Sequence, residues 1–200
     1  MTTEELMFKL WMEAGMWQNN FKIVVSKLMR LFVAVNFNEN VRSKLIFLID
    51  ELRLNSKRGS FVLPDNLHLT LAFLGECNDK QTDSIKKAMD EVCFESIDLV
   101  IDNIGRFKRN DGDLWWAGIQ NNDILYELQR NLSNNLIRAG FNIDNKKYKP
   151  HITLGRKVIS ILAPYRTEPF GQSVSKIDLM KSERINGILT YTSIYHVMNR

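Results

Sequence analysis

The pattern of apolar and polar residues predicts two repeats of the order strand, helix, strand, helix. In the first repeat, residues 30–36 form an apolar run typical of a buried strand, and residues 38–54 have helical periodicity with Asn38 or Asn40 as the cap. The apolar face of this helix is formed by Val41, Leu45, Leu48, Ile49 and Leu52. Residues 57–59 are expected to end this helix, so that the strand at 66–75 follows it as in a βαβ unit.

Further along the chain, helices are predicted over 79–94, which completes the first repeat, and from Asn122 or Asp123 to Gly140. Further strands are predicted, in chain order, over residues 97–107, 114–119, 150–156, 174–182 and 188–197. The dipeptides Asp111-Gly112 and Asn186-Gly187 are strong hairpin signals, because both favour turns with positive φ. The stretch with Pro164 and Pro169 is predicted to be a loop.

Two of the predicted strands carry the same polar pattern. Residues 66–71 contain His68 and Thr70, and residues 150–154 contain His151 and Thr153 at the same spacing. Successive side chains of a strand point to opposite faces, so each histidine shares a face with its threonine. A hydroxyl can donate to a phosphate oxygen while an imidazole exchanges a proton with an ester oxygen or water. The two pairs therefore predict one shared phosphate site.

The alternative is that both histidines are structural, with threonines present for their β-propensity. The chain contains three His, and two such matches by chance are an event of roughly half a per cent. The matched flanks therefore favour a site. His196 has no threonine two residues later and is interpreted as structural.

Length and composition limit the number of domains, the partners and the cofactors that can be expected. Two hundred residues suffice for one bilobal domain, and the formal charge of +4 with a pI near 9.0 mildly favours an anionic partner. The only cysteines, Cys77 and Cys93, lack metal-type spacing, so reduced thiols in a cytoplasm are expected. No apolar run is long enough to span a bilayer, and no P-loop or metal-ligand motif is present, so neither membrane, metal nor cofactor is predicted.

The paired His-x-Thr motifs resemble those of the two-histidine phosphoesterase superfamily, and their flanks resemble its RNA 2′,3′-cyclic phosphodiesterase branch, historically called 2′-5′ RNA ligase. The similarity extends over residues 29–200. Segments that carry it are Met29–Val35, Asn66–Gly75, Gly105–Phe107, Leu114–Ile119 and Leu179–Ser182.

The resemblance implies an α+β fold of two lobes related by a pseudo-two-fold axis, with mainly antiparallel sheet and outer helices around a central cleft. It implies a monomeric hydrolase that opens RNA 2′,3′-cyclic phosphates to 2′-phosphates without metal. His68 would be the proton donor to O3′ and His151 the proton acceptor from water, although a symmetric pair leaves the roles open. Thr70 and Thr153 would hold the non-bridging oxygens.

Three further residues are candidates for substrate binding, and for Arg156 the alternative is a solvated side chain at a strand end. The guanidinium of Arg156 can bind a phosphate in a bidentate manner, the ring of Phe73 can stack on a base, and Tyr148 stands just before the second motif. One of Trp115 and Trp116 is expected in the core, and the other is a further candidate for stacking on a base. A rim for RNA backbone is predicted from Arg106, Lys108, Arg109, Lys146, Lys147 and Lys149.

Two other functions compete with this hypothesis. One is a related enzyme that acts on another 2′-phosphoester or a 2′-5′ linkage, including ligation in reverse. The other is an RNA-end binding module without turnover, which two intact copies of the motif disfavour.

Residues 1–28 are not covered by the resemblance. Their charges balance, and we expect Met29 to be the natural start, with this segment outside the catalytic domain at 29–200. The alternative is a docking or self-association element that uses Trp11 and Trp17.

Overall fold

The computed structural model describes residues 28–144 and 146–200; the predictions for residues 1–27 lie outside this part of the chain. In this part of the chain, nine strands form two sheets, all of whose pairings are antiparallel. The strands are β1 Met29–Asn36, β2 Ser56–Phe61, β3 His68–Cys77, β4 Ile97–Phe107, β5 Asp113–Ile119, β6 His151–Ser160, β7 Tyr165–Val174, β8 Lys176–Ile185 and β9 Ile188–Met198. The helices are α1 Glu39–Leu54, α2 Asp79–Asp90 and α3 Asp123–Arg138.

The two histidine strands belong to different sheets. The first sheet has the order β3-β1-β8-β9, and the second has the order β2-β6-β5-β4-β7. Helix α1 packs on the second sheet, whereas α3 packs on β3 and against α2. This architecture confirms the predicted α+β class, with two antiparallel sheets, outer helices and a central cleft between the histidine strands.

Local sequence explains where the helices begin. The side chains of Asn38, Asn78 and Asn122 accept hydrogen bonds of 2.9 Å from main-chain N–H groups in the first helical turns. At Asn78 the bond is part of a capping box with Gln81. Gly140, at φ +90°, follows the last helix, as predicted for a glycine past a helix end.

Helix α1 ends at Leu54, as predicted, but four details of the predicted secondary structure are wrong. Residues 57–59 lie within β2, an edge strand whose mostly exposed residues have no apolar alternation, and residues 165–174 form β7, another edge strand, where Pro169 is tolerated. Strands β1 and β3 pair antiparallel rather than as a βαβ unit, because the chain joins the other sheet through β2 before it returns. Helix α2 ends at Asp90, before the buried Val92.

The cores of the two lobes are continuous. Leu31, Val33 and Val35 of β1 are buried in the main core, whereas the alternate residues Phe32 and Ala34 lie on the other face of the sheet. Phe32 packs there with Met180 and the partly buried Tyr191. Since Phe32 and Tyr191 also line the cleft, this second face of the sheet forms one wall of the site.

Candidate active site

A cleft of about 1010 Å³ is lined by residues from both sheets. The motif residues His68, Thr70, His151 and Thr153 all line it. The lining also includes every further residue predicted for substrate binding, namely Phe73, Tyr148 and Arg156. The fold therefore brings together residues that the sequence presents as two distant segments.

Each histidine is oriented by a hydrogen bond of the same kind, from Nδ1 to a main-chain carbonyl. Nδ1 of His68 lies 2.7 Å from the main-chain oxygen of Asn66, and Nδ1 of His151 lies 2.7 Å from that of Lys149. A carbonyl only accepts hydrogen bonds, so Nδ1 carries the proton in each ring. In the neutral imidazole, Nε2 is then unprotonated and available to accept a proton.

The first histidine–threonine pair has an internal hydrogen bond. Nε2 of His68 lies 3.0 Å from Oγ1 of Thr70, so the threonine hydroxyl donates to this nitrogen when the ring is neutral. A phosphate that engages both groups must replace this bond.

Aromatic side chains hold both imidazoles. The ring of His68 packs against Phe32, with centroids 4.8 Å apart, and meets Tyr191 edge-on at 5.2 Å. The ring of His151 meets Phe107 edge-on at 5.5 Å. Phe107 belongs to a segment that carries the family resemblance, but contacts between strands are not visible in the spacing of residues, so the roles of Phe32, Phe107 and Tyr191 were missed.

Burial lowers the pKa of His68 below its ordinary value of 6.5. The bond to the Asn66 carbonyl raises this pKa, and the positive charges of Arg156 and His151 lower it. The net result in the free protein is a preference for neutral His68. A bound phosphate anion would act in the opposite direction, because a nearby negative charge favours the imidazolium.

The remaining candidates occupy distinct places in the cleft. Phe73 exposes 59% of its surface, as a base-stacking residue requires. Tyr148 uses its hydroxyl to donate a hydrogen bond of 2.9 Å to the main-chain oxygen of Thr70, and burial raises its pKa. Tyr148 thus offers its ring rather than its hydroxyl to a ligand.

Neither tryptophan of the Trp115-Trp116 pair is among the residues that line the cleft. Trp115 is fully buried, which confirms the prediction that one of the pair lies in the core. The ring of Trp116 packs over Gly105 and lies 5.3 Å from that of Phe107. Because Phe107 contacts His151, Trp116 supports the wall behind the second histidine.

Four cations of the predicted rim line the cleft: Arg109, Lys146, Lys147 and Lys149. Arg106 is instead paired with Asp113 at 3.0 Å and lies over the ring of Trp115. Lys146 is paired with Asp144 at 3.2 Å, in a contact that is exposed at both ends. The cationic part of the cleft therefore lies mainly on the segment that leads into β6 and on the loop between β4 and β5.

Comparison with known proteins agrees with this architecture and site. The model of the LigT-like phosphoesterase family matches residues 35–116 and 118–190. The fold and the two paired motifs define a two-histidine phosphoesterase. The chain belongs to the LigT-like phosphoesterase family.

Individual relatives extend the same result. The RNA 2′,3′-cyclic phosphodiesterase of Thermotoga maritima is 34% identical over 134 residues, which are 64% of this chain and 70% of that protein. The Archaeoglobus fulgidus enzyme of the same name is 34% identical over 152 residues, 72% of this chain and 85% of that protein. The crystal structure of Escherichia coli LigT in complex with 3′-AMP has a TM-score of 0.75 and 25% identity, over 87% of this chain and 99% of that chain.

No helix within residues 28–144 and 146–200 is both long and apolar enough to cross a bilayer.

Proposed function

We propose that the protein hydrolyses RNA 2′,3′-cyclic phosphate ends to 2′-phosphomonoesters by a two-histidine mechanism that needs no metal. The observation that carries the proposal is the matched orientation of His68 and His151. Each imidazole donates a hydrogen bond from Nδ1 to a main-chain carbonyl, and both residues line the cleft. Nε2 of each ring is therefore the nitrogen for proton transfer. The names of the Thermotoga maritima and Archaeoglobus fulgidus relatives support the choice of substrate.

The reaction requires two proton transfers on opposite sides of phosphorus. Water must lose a proton as it attacks, and O3′ must gain one as it leaves. Two imidazoles supply both transfers near neutral pH, which is why no metal is needed in this mechanism. Thr70 and Thr153 donate to the non-bridging oxygens, and Arg156 adds a charge that stabilises them.

Within this mechanism we assign donation to O3′ to His68 and activation of water to His151. The lowered pKa of His68 in the free protein favours the neutral ring, so this assignment requires the bound anion to raise the pKa of His68. A substrate with a much better leaving group at the 3′ position needs little protonation. Such a substrate should partly restore turnover in His68→Ala and leave His151→Ala inactive, and restoration of the opposite variant would reverse the roles.

The partner that suits the cleft is an RNA chain with a cyclic end. Phe73 presents an exposed ring for stacking of a base, and Arg109, Lys147 and Lys149 present positive charge for phosphates. We expect the protein to act as a monomer. We expect it to act in a reducing cytoplasm, which suits the free thiols of Cys77 and Cys93.

Product analysis tests the proposal. The purified protein, with chelator present, is incubated with a 2′,3′-cyclic nucleotide and with an oligonucleotide that ends in a cyclic phosphate, and the products are followed by phosphorus NMR. We expect a 2′-phosphomonoester from both. Turnover only of a 2′-5′ linkage, tested in parallel, would favour the related activity, and binding without any turnover would favour a non-catalytic module.

A further inference from the structure

Asn66 is a buried polar residue whose side chain binds a strand distant in sequence. It ends the short 3-10 turn Pro64–Asn66 that precedes β3, and it is only 6% exposed. Its Nδ2 donates to the main-chain oxygen of Leu189 at 2.8 Å, and its Oδ1 accepts from the main-chain N–H of Tyr191 at 3.2 Å. Both ends of the amide are thus bound to β9, so the residue is held in one orientation.

The main chain of the same residue orients His68. The carbonyl of Asn66 accepts the hydrogen bond from Nδ1 of His68. The direction of this carbonyl therefore determines which ring nitrogen carries the proton. The strand that Asn66 binds also carries Tyr191, whose ring meets the imidazole edge-on. The side chain of Asn66 thus helps to fix two groups that contact His68, its own carbonyl and the ring of Tyr191.

The carbonyl that orients the second histidine lacks such an anchored side chain. The equivalent carbonyl belongs to Lys149, whose side chain is exposed in the irregular segment before β6. Asn66 is therefore a feature of the first histidine strand alone, although the two motifs match in sequence.

We propose that Asn66 is a positioning residue which, by binding β9 through its side-chain amide, fixes the Nδ1–H tautomer and the ring orientation of His68. Its effect on rate rests on the proposed function. Its effect on the tautomer does not, because the tautomer exists in the free protein whether or not turnover occurs.

Nitrogen-15 NMR of the histidine rings in the full chain tests this inference. The chain has three His, so the signals of His68, His151 and His196 are assignable from single substitutions. We expect His68 in the wild-type protein, in its neutral form, to be protonated at Nδ1. In Asn66→Ala we expect a mixture of tautomers at His68 and an unchanged signal from His151.

Asn135→Ala is a matched control, because Asn135 is also buried and also donates from Nδ2 to a main-chain oxygen, that of Ala88, at 3.1 Å. We expect this variant to lose stability and to keep the tautomer of His68. For turnover, Asn66→Ala should lower kcat about ten- to hundred-fold with little change in KM, because misorientation of a reacting group costs rate rather than affinity.

Two results would overturn the inference. The first is an Nε2–H tautomer of His68 in the wild-type protein, which requires no variant to fold. The second is a wild-type tautomer in a folded Asn66→Ala variant. If Asn66→Ala fails to fold, Asn66→Asp replaces it, since aspartate keeps the acceptor for Tyr191 and loses the donor to Leu189. An inactive wild-type protein with the expected tautomer would contradict the proposed function and leave the role of Asn66 intact.

Discussion

The hydroxyl of Tyr148 donates a hydrogen bond of 2.9 Å to the main-chain oxygen of Thr70. This contact joins the segment just before the second histidine strand to the beginning of the first. The two strands belong to different sheets, so the bond connects the two halves of the site directly. Tyr148 therefore influences how His68 and His151 lie relative to each other.

Tyr148→Phe should lower kcat several-fold and leave KM for a cyclic mononucleotide nearly unchanged. The reason is that the substitution keeps the ring and leaves the Thr70 carbonyl without this donor, at a cost in unfolding free energy of about 1 kcal/mol. Steady-state kinetics and thermal unfolding measure both effects. Tyr165→Phe is the control, because it removes a hydroxyl bond to Glu51 outside the cleft. A rise in KM with unchanged kcat would instead show that the Tyr148 hydroxyl contacts the substrate.

Arg156→Gln should raise the pKa of His68 in the free protein, because the arginine charge is one of the causes that lower it. A histidine NMR titration measures this shift. Arg130→Gln, which removes an exposed charge on α3, should leave the titration unchanged. A fall in the pKa of His68 in Arg156→Gln would contradict the electrostatic account of the site.

The same shift affects stability. The pKa of His68 is lower in the folded protein than its ordinary value of 6.5, so the unfolded chain binds more protons between these two values. The contribution of His68 to the free energy of unfolding is therefore present above pH 6.5 and is lost as the pH falls through the folded pKa. Raising the folded pKa in Arg156→Gln should make this loss smaller.

The double variant Lys147→Ala/Lys149→Ala should raise KM for a cyclic-ended oligonucleotide about three- to thirty-fold at low salt and leave KM for a cyclic mononucleotide unchanged. Only the longer substrate has further phosphates for these side chains to neutralise, and the salt dependence of its KM should decrease in parallel. The matched control is Lys80→Ala/Lys87→Ala on α2, which removes equal charge from a surface outside the cleft. Equal effects on both substrates would show that these lysines do not bind the RNA chain.

Removal of residues 1–28 should leave turnover and the melting temperature nearly unchanged. The family match begins at residue 35, and β1 begins at Met29. Kinetics and thermal unfolding of the shortened chain measure both quantities. Loss of folding or of most activity would make the segment an integral part of the domain.

The sequence predicts most elements of this fold because their signals are local. The Asn186-Gly187 turn is an example, since both residues have positive φ, 51° and 82°, as the hairpin between β8 and β9 requires. Strand β2 was missed because its mostly exposed residues lack the alternation that marks a half-buried strand. Strand β7 was missed because Pro164 and Pro169 indicated a loop, although its residues alternate in burial.

The candidate site also has one part that the sequence predicts and one part that it does not. His68, Thr70, His151 and Thr153 follow from a repeated local motif, and all four line one cleft. The contacts of Asn66 with β9 join residues far apart in the chain. Such contacts depend on strand order and register, which residue spacing in a single sequence does not determine.

The central claim is that His68 and His151 are both required for one reaction. Its most direct test is the rate of opening of a 2′,3′-cyclic phosphate, with chelator present, by the wild-type protein, His68→Ala and His151→Ala. General acid–base catalysis by a positioned side chain contributes about a hundred- to ten-thousand-fold, so each variant should lose at least about a hundred-fold in kcat. The wild-type rate should be unaffected by chelator. Near-wild-type turnover by either variant, or activity that chelator abolishes and a divalent ion restores, would contradict the account.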